Sequence, residues 1–234
     1  MSFGFGVGIP GQQTPLVEYC ENEETRTILT WLSPISHAPQ HSDYRDRREP
    51  GTGKWALATP EFRSWLMSPK QTLYCPGAPG AGKTILAPIV VDELFLRYRS
   101  SDNVGIAYVY CNYKRQQEQQ SAQILASLIQ QLAYRKPSSL ETIKFEQIFI
   151  VIDALDEFQM QDGSRNRVLH EISAIQVSHN VNLPATSRDI PDATALFNGQ
   201  PVLEINAREE DIVKYLKSHM IRLPSFVEKI AQGA

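Results

Sequence analysis

Cysteine is scarce in this chain: Cys20, Cys75 and Cys111 are the only three among 234 residues, and no two form a CxxC pair. Three thiols cannot close a disulfide framework, and unpaired cysteines offer no zinc ribbon. Cys75 and Cys111 lie in apolar runs, where a small buried thiol is expected. Excess positive charge is missing too. With 23 Lys and Arg against 26 Asp and Glu, the net charge is −3. That balance gives no electrostatic basis for binding nucleic acid or an anionic membrane. The basic residues Arg45, Arg47, Arg48 and Lys54 alternate with Asp43, Asp46 and Glu49, as in a solvated loop.

Other absences narrow the class further. No apolar run reaches the length that spans a bilayer. Met1 to Pro15 lacks the basic start of a signal peptide, and Ser2 stands where myristoylation needs glycine. A soluble, cytoplasmic protein is the expectation. His37 and His41 are four apart but have no third zinc ligand nearby. There is no NKxD guanine-reading motif, no internal repeat, and no Ser/His/Asp or Cys/His arrangement.

What is present is an alternation of apolar strands with amphipathic helices. Strands are expected at Leu73–Cys75, Val104–Tyr110, Ile148–Ile152, Val181–Thr186 and Val202–Ile205. Helices are expected at Glu24–Leu32, Trp55–Met67, Ile85–Tyr98, Ser121–Tyr134 and Arg167–Val177. Asn206 and Glu209 read as a capping-box-like pair opening one more helix. Strand–helix alternation predicts an α/β fold, a parallel sheet with helices on both faces. Residues 1–50 read as a leader and linker with one short helix, 51–206 as the core, and 207–234 as the start of a truncated C-terminal helical segment. Pro34, Pro39, Pro50, Gly51 and Gly53 give Ser33–Gly53 the composition of a linker.

Between the first strand and its helix lies Gly77-Ala78-Pro79-Gly80-Ala81-Gly82-Lys83-Thr84, a full GxxxxGK[ST] match. Glycines let successive N–H groups turn toward phosphate oxygens, and the next helix offers its positive N-terminus to the same anion. Lys83 supplies a charge for the β- and γ-phosphates, and the Thr84 hydroxyl a ligand for Mg²⁺. A chance match in a chain this long is on the order of one in a hundred. Gly51-Thr52-Gly53-Lys54-Trp55 is a decoy, with Arg48 in place of the first glycine and Trp55 in place of the hydroxyl residue.

Ile148 to Ile152 ends in Asp153, an acidic strand end suited to holding Mg²⁺ together with Thr84. Asp156 and Glu157 follow, and either can orient or deprotonate an attacking water. Thr186-Ser187-Arg188 closes the next strand, where an arginine at the carboxyl edge of a parallel sheet reaches a γ-phosphate.

Together, Gly77–Thr84, Ile148–Glu157, Ala185–Arg188 and Asn206–Leu216 resemble the NACHT branch of the STAND P-loop NTPases. The chain is most similar to the nephrocystin-3-like N-terminal domain of fungal NLR-type proteins, and Arg48–Trp55 with Pro60-Glu61-Phe62 resembles that family's entry segment. The resemblance implies a three-layer sandwich with strand order 5-1-4-3-2. It implies ATP- or GTP-dependent switching with Mg²⁺, ATP being favoured, and self-association in the open state. It also implies phosphate and metal binding by Lys83, Thr84 and Asp153, support of hydrolysis by Asp156 or Glu157, and a sensor role for Arg188. Three departures are notable. Pro88 should kink the P-loop helix, Pro184 lies in a central strand, and Lys136–Gln147 is short for the family. With the helical lid expected to be absent or truncated, slow hydrolysis is one expectation. A catalytically inactive interaction module is the other.

Overall fold

A computed structural model describes residues 23–135, 144–158 and 163–220. The apolar runs form four parallel strands, β1 (Thr72–Pro76), β2 (Val104–Tyr110), β3 (Gln147–Asp153) and β4 (Val181–Ser187), in the order β1-β4-β3-β2. Their side chains alternate between two cores, as the two-residue period of a strand requires. Leu73, Cys75, Ile106, Tyr108, Phe149 and Val151 face one core, shared with α3 (Pro60–Met67) and α4 (Lys83–Arg97). Tyr74, Ala107, Val109, Ile150, Ile152 and Ala185 face the other, shared with α5 (Ser121–Tyr134) and α6 (Ser164–Ser178). Burial on both faces explains why these strands read as continuous apolar runs. The result is the expected three-layer α/β sandwich.

Among the described residues the sheet has four strands, where the resemblance implied five. Residues 201–205 do run along the free edge of β1. Tyr74 N donates to Pro201 O, Leu203 N to Tyr74 O, and Ile205 N to Pro76 O. Only one isolated parallel bridge forms there, between Tyr74 and Val202. Pro201 opens this segment without an N–H to extend the ladder.

Both prolines are accommodated. Helix α4 continues through the buried Pro88 to Arg97. Between β3 and β4 the pairs are Ile148 with Val181, Phe149 with Asn182 and Ile152 with Ala185, leaving the rungs at Leu183 and Pro184 unformed. Leu183 directs its N–H to the β1 side and donates to Gln71 O, at 2.8 Å. The sheet absorbs Pro184 by omitting the hydrogen bond it cannot make. The shortness expected of Lys136–Gln147 falls largely outside the described residues.

The linker reading of Ser33–Gly53 is corrected by α2 (Ala38–Arg47), in which Pro39 sits in the first turn, where proline is tolerated. Composition alone misses this helix because packing makes it. Buried His41 places Nδ1 2.7 Å from the Tyr110 hydroxyl and Nε2 3.2 Å from Asp92, which also pairs with Arg45 at 3.3 Å. His37 is buried as well, and burial with the nearby Arg115 charge lowers its pKa to about 4. Both histidines are thus buried and hydrogen-bonded within the fold, His41 to Tyr110 and Asp92 and His37 to Tyr110 N. Trp55–Met67 divides into a short 3-10 turn (Lys54–Ala58) and α3, separated by the Thr59 cap. Two short helices complete the element order, α1 (Glu23–Leu32) and α7 (Pro191–Leu196), the latter unanticipated. The last described helix, α8 (Glu209–Met220), starts on the Arg208 carbonyl and not at Asn206. Among the described residues no helix is long and apolar enough to cross a membrane.

The outer edge of β2 is closed by side chains. Gln131 accepts from Tyr108 N through Oε1 at 3.0 Å and donates to Tyr108 O at 2.9 Å. Gln119 donates to Tyr110 O, and His37 Nδ1 accepts from Tyr110 N. An exposed edge invites pairing with other chains, and these groups occupy it.

Candidate nucleotide-binding site

The loop between β1 and α4 carries two glycines in the left-handed region, Gly80 at φ 79° and Gly82 at φ 97°. Side chains rarely adopt this conformation. Gly77 is constrained differently, since a Cβ there would lie 2.5 Å from the Ile205 carbonyl oxygen. The Gly82 carbonyl accepts from Ile85 N and Leu86 N, which starts the helix. Lys83 folds back over the loop, its Nζ donating to Gly77 O at 2.7 Å and Ala78 O at 2.8 Å. Partial burial lowers its pKa, while the negative charges of Asp156 and Asp153 act in the opposite direction. Ala78, Pro79 and Gly80 are exposed on the arch, Ala81 is half-buried, and half-buried Thr84 occupies the first turn of α4.

Parallel topology brings Asp153, Arg188 and this loop to one edge, because all four strands end there. Asp153 is buried, and its Oδ1 accepts a 2.6 Å hydrogen bond from the Thr186 hydroxyl, which in turn accepts from Ala154 N at 2.9 Å. Burial raises the Asp153 pKa to about 6, with the charges of Glu157 and Asp156 adding to the rise and Thr186 and Lys83 opposing it. Ala154, at φ 54°, turns the chain sharply so that Leu155–Glu157 forms a single 3-10 turn over the strand ends.

The two candidate acids then separate. The Asp156 carboxylate, 3% exposed, is held by Arg188, accepting from the backbone N at 2.8 Å and from Nε as an ion pair. That pairing raises the Arg188 pKa. Among the described residues the Glu157 carboxylate accepts from Tyr113 N, at 3.3 Å. Asp156, Asp153 and Glu157 thus act electrostatically on Lys83, and burial makes Asp153 costly to charge. Asp153 and Thr84 offer oxygen donors only, the set that a hard divalent cation takes.

Two cavities flank the arch. One, of about 450 Å³, has walls from Gly80–Gly82, the leader around Trp55, and α8. The other, of about 1070 Å³, opens between Gly77–Pro79, Arg188 and α7. The motif reading missed the first cavity. The segment Arg48–Trp55 stands out in sequence, but nothing local shows that it meets residues 205–216. Thr186 was also given no role, although it directly contacts Asp153.

A parallel three-layer sandwich with a glycine arch, a capping lysine and an acidic strand end defines a P-loop nucleotide-binding fold. Residues 51–146 match the family model described as Nephrocystin 3, N-terminal, which covers about 41% of the chain. No curated protein matches the chain. Among solved structures it is similar to a DNA replication initiation factor (12% identity, TM-score 0.46, covering 76% of this chain and 53% of that one). It is also similar to C. elegans PCH-2 (16%, 0.42, 89% and 52%). A third is the Aeropyrum pernix Orc1 protein in complex with DNA (15%, 0.46, 84% and 53%). The chain spans about half the length of each of these structures.

Proposed function

We propose that this chain binds a purine nucleoside triphosphate, ATP in preference to GTP, with Mg²⁺, and hydrolyses it slowly as a switch module. The observation that carries the reading is the Lys83 ammonium, seated on the carbonyls of Gly77 and Ala78 and electrostatically coupled to Asp153, Asp156, Glu157 and Arg188. In this reading the backbone from Gly77 to Thr84 wraps the phosphates. Lys83 exchanges its two carbonyl partners for phosphate oxygens, and Arg188 reaches the γ-phosphate. The nucleoside occupies the 450 Å³ cavity, whose apolar walls suit a purine.

Thr84 and Asp153 would hold Mg²⁺, which supplies charge neutralisation at the β- and γ-phosphates. Glu157 orients the attacking water, because both Asp156 oxygens are engaged by Arg188. Calorimetric titration with Mg-ATP, Mg-GTP and ADP tests binding. Saturable uptake that Lys83→Ala abolishes supports the reading, and its absence in the wild type ends it. Phosphate release then separates a switch enzyme from a binding-only module. Tight binding without turnover identifies the latter.

A further inference from the structure

Resting on the nucleotide reading above, we propose that Trp55 is the stacking platform for the purine base and that Arg208 occupies its face until the base arrives. Trp55 lines the 450 Å³ cavity beside the glycine arch and packs partly against the core cluster that includes Ala56 and Phe62. The Arg208 guanidinium lies 4.2 Å from the centre of its indole ring. A guanidinium is flat and stacks as a nucleobase does, and at that distance nothing else fits on the same face.

Arg208 is loosely held. Among the described residues it forms no ion pair, and its side chain is exposed. Its backbone, by contrast, is fixed, since its carbonyl accepts from Asp211 N and Ile212 N in the first turn of α8. The side chain can therefore leave without moving the helix. Asp211 on the same helix accepts from Gly53 N at 2.9 Å, which holds the leader and α8 together around the cavity. The site thus pairs a fixed aromatic plate with a removable planar cation, and the occupant it fits is the flat ring of a purine.

The test compares Mg-ATP with magnesium tripolyphosphate, which has the phosphates and no base, by calorimetry and tryptophan fluorescence. Trp55→Ala is expected to weaken Mg-ATP by about tenfold or more, as loss of one base–aromatic stack does. Tripolyphosphate binding should be unchanged. Trp55→Phe should keep most of the Mg-ATP affinity and lose the fluorescence response. Arg208→Ala should bind Mg-ATP at least as tightly as wild type. Equal weakening of both ligands in Trp55→Ala would show that Trp55 supports the loop and not the base, and unchanged Mg-ATP affinity would exclude stacking. Weakening in Arg208→Ala would overturn the displacement. A wild type that binds tripolyphosphate and Mg-ATP equally would refute the stack while leaving the phosphate cradle intact. A wild type that binds neither would end both readings.

Discussion

Asp153→Asn should make the folded protein more stable at neutral pH while disabling the proposed metal site. Burial and the charges of Glu157 and Asp156 raise the Asp153 pKa from 3.8 to about 6. The folded state therefore holds this proton more tightly than the unfolded chain does. Stability falls as pH rises through the interval from about 4 to 6, and the full penalty applies above it. At 1.36 kcal/mol per pH unit, the penalty at pH 7.5 is about 3 kcal/mol. Asparagine keeps the acceptor for Thr186 but adds an amide N–H without an assured partner, at a cost of about 1–2 kcal/mol. The net gain is about 1–2 kcal/mol, or roughly 2–8 °C in Tm for a chain of this size. Thermal unfolding of both proteins at pH 7.5 and pH 4 checks this. The gain should disappear, or reverse, at the lower pH. A gain of equal size at both values, or a loss at pH 7.5, would refute the electrostatic origin. Mg²⁺ with nucleotide should stabilise the wild type and leave Asp153→Asn unaffected.

The separation of Asp156 from Glu157 has a kinetic consequence. Glu157→Gln should lower single-turnover phosphate release by about 100-fold or more with nucleotide affinity little changed, as loss of a general base does. Asp156→Asn should slow release less, because it retains the contact to Arg188 N and loses only the ion pair. Equal effects would mean that both acids touch the water. At the other edge of the sheet, Gln131→Leu leaves the buried Tyr108 N–H and C=O without their side-chain partner. The expected loss is about 2–4 kcal/mol in urea unfolding, and a variant within about 0.5 kcal/mol of wild type would show that the edge finds other partners.

The strands were legible because burial on both faces imposes a continuous apolar run. Leu73–Cys75, Val104–Tyr110, Ile148–Ile152 and Val181–Thr186 each lie within an observed strand. The fifth expected strand is reduced to a bridge, since a run of apolar residues does not report whether its neighbour offers a matching ladder. Helix α2 was illegible because its stability comes from His41 and Arg45 meeting Tyr110 and Asp92, residues 47 to 69 positions away in sequence.

The candidate site divides in the same way. Sequence by itself determined the phosphate arch, since Gly80, Gly82 and Lys83 are adjacent and their backbone angles and charge are local properties. It also determined that Asp153 ends an apolar strand. Only the tertiary structure decided which acid remains available, because Asp156 is engaged by an arginine 32 residues away that β4 carries to the same sheet edge. Tertiary structure alone likewise brought Trp55 beneath Arg208, since two segments more than 150 residues apart leave no shared pattern in sequence. Local conformation is encoded in short windows of residue type, whereas pairing across the chain depends on how the layers pack.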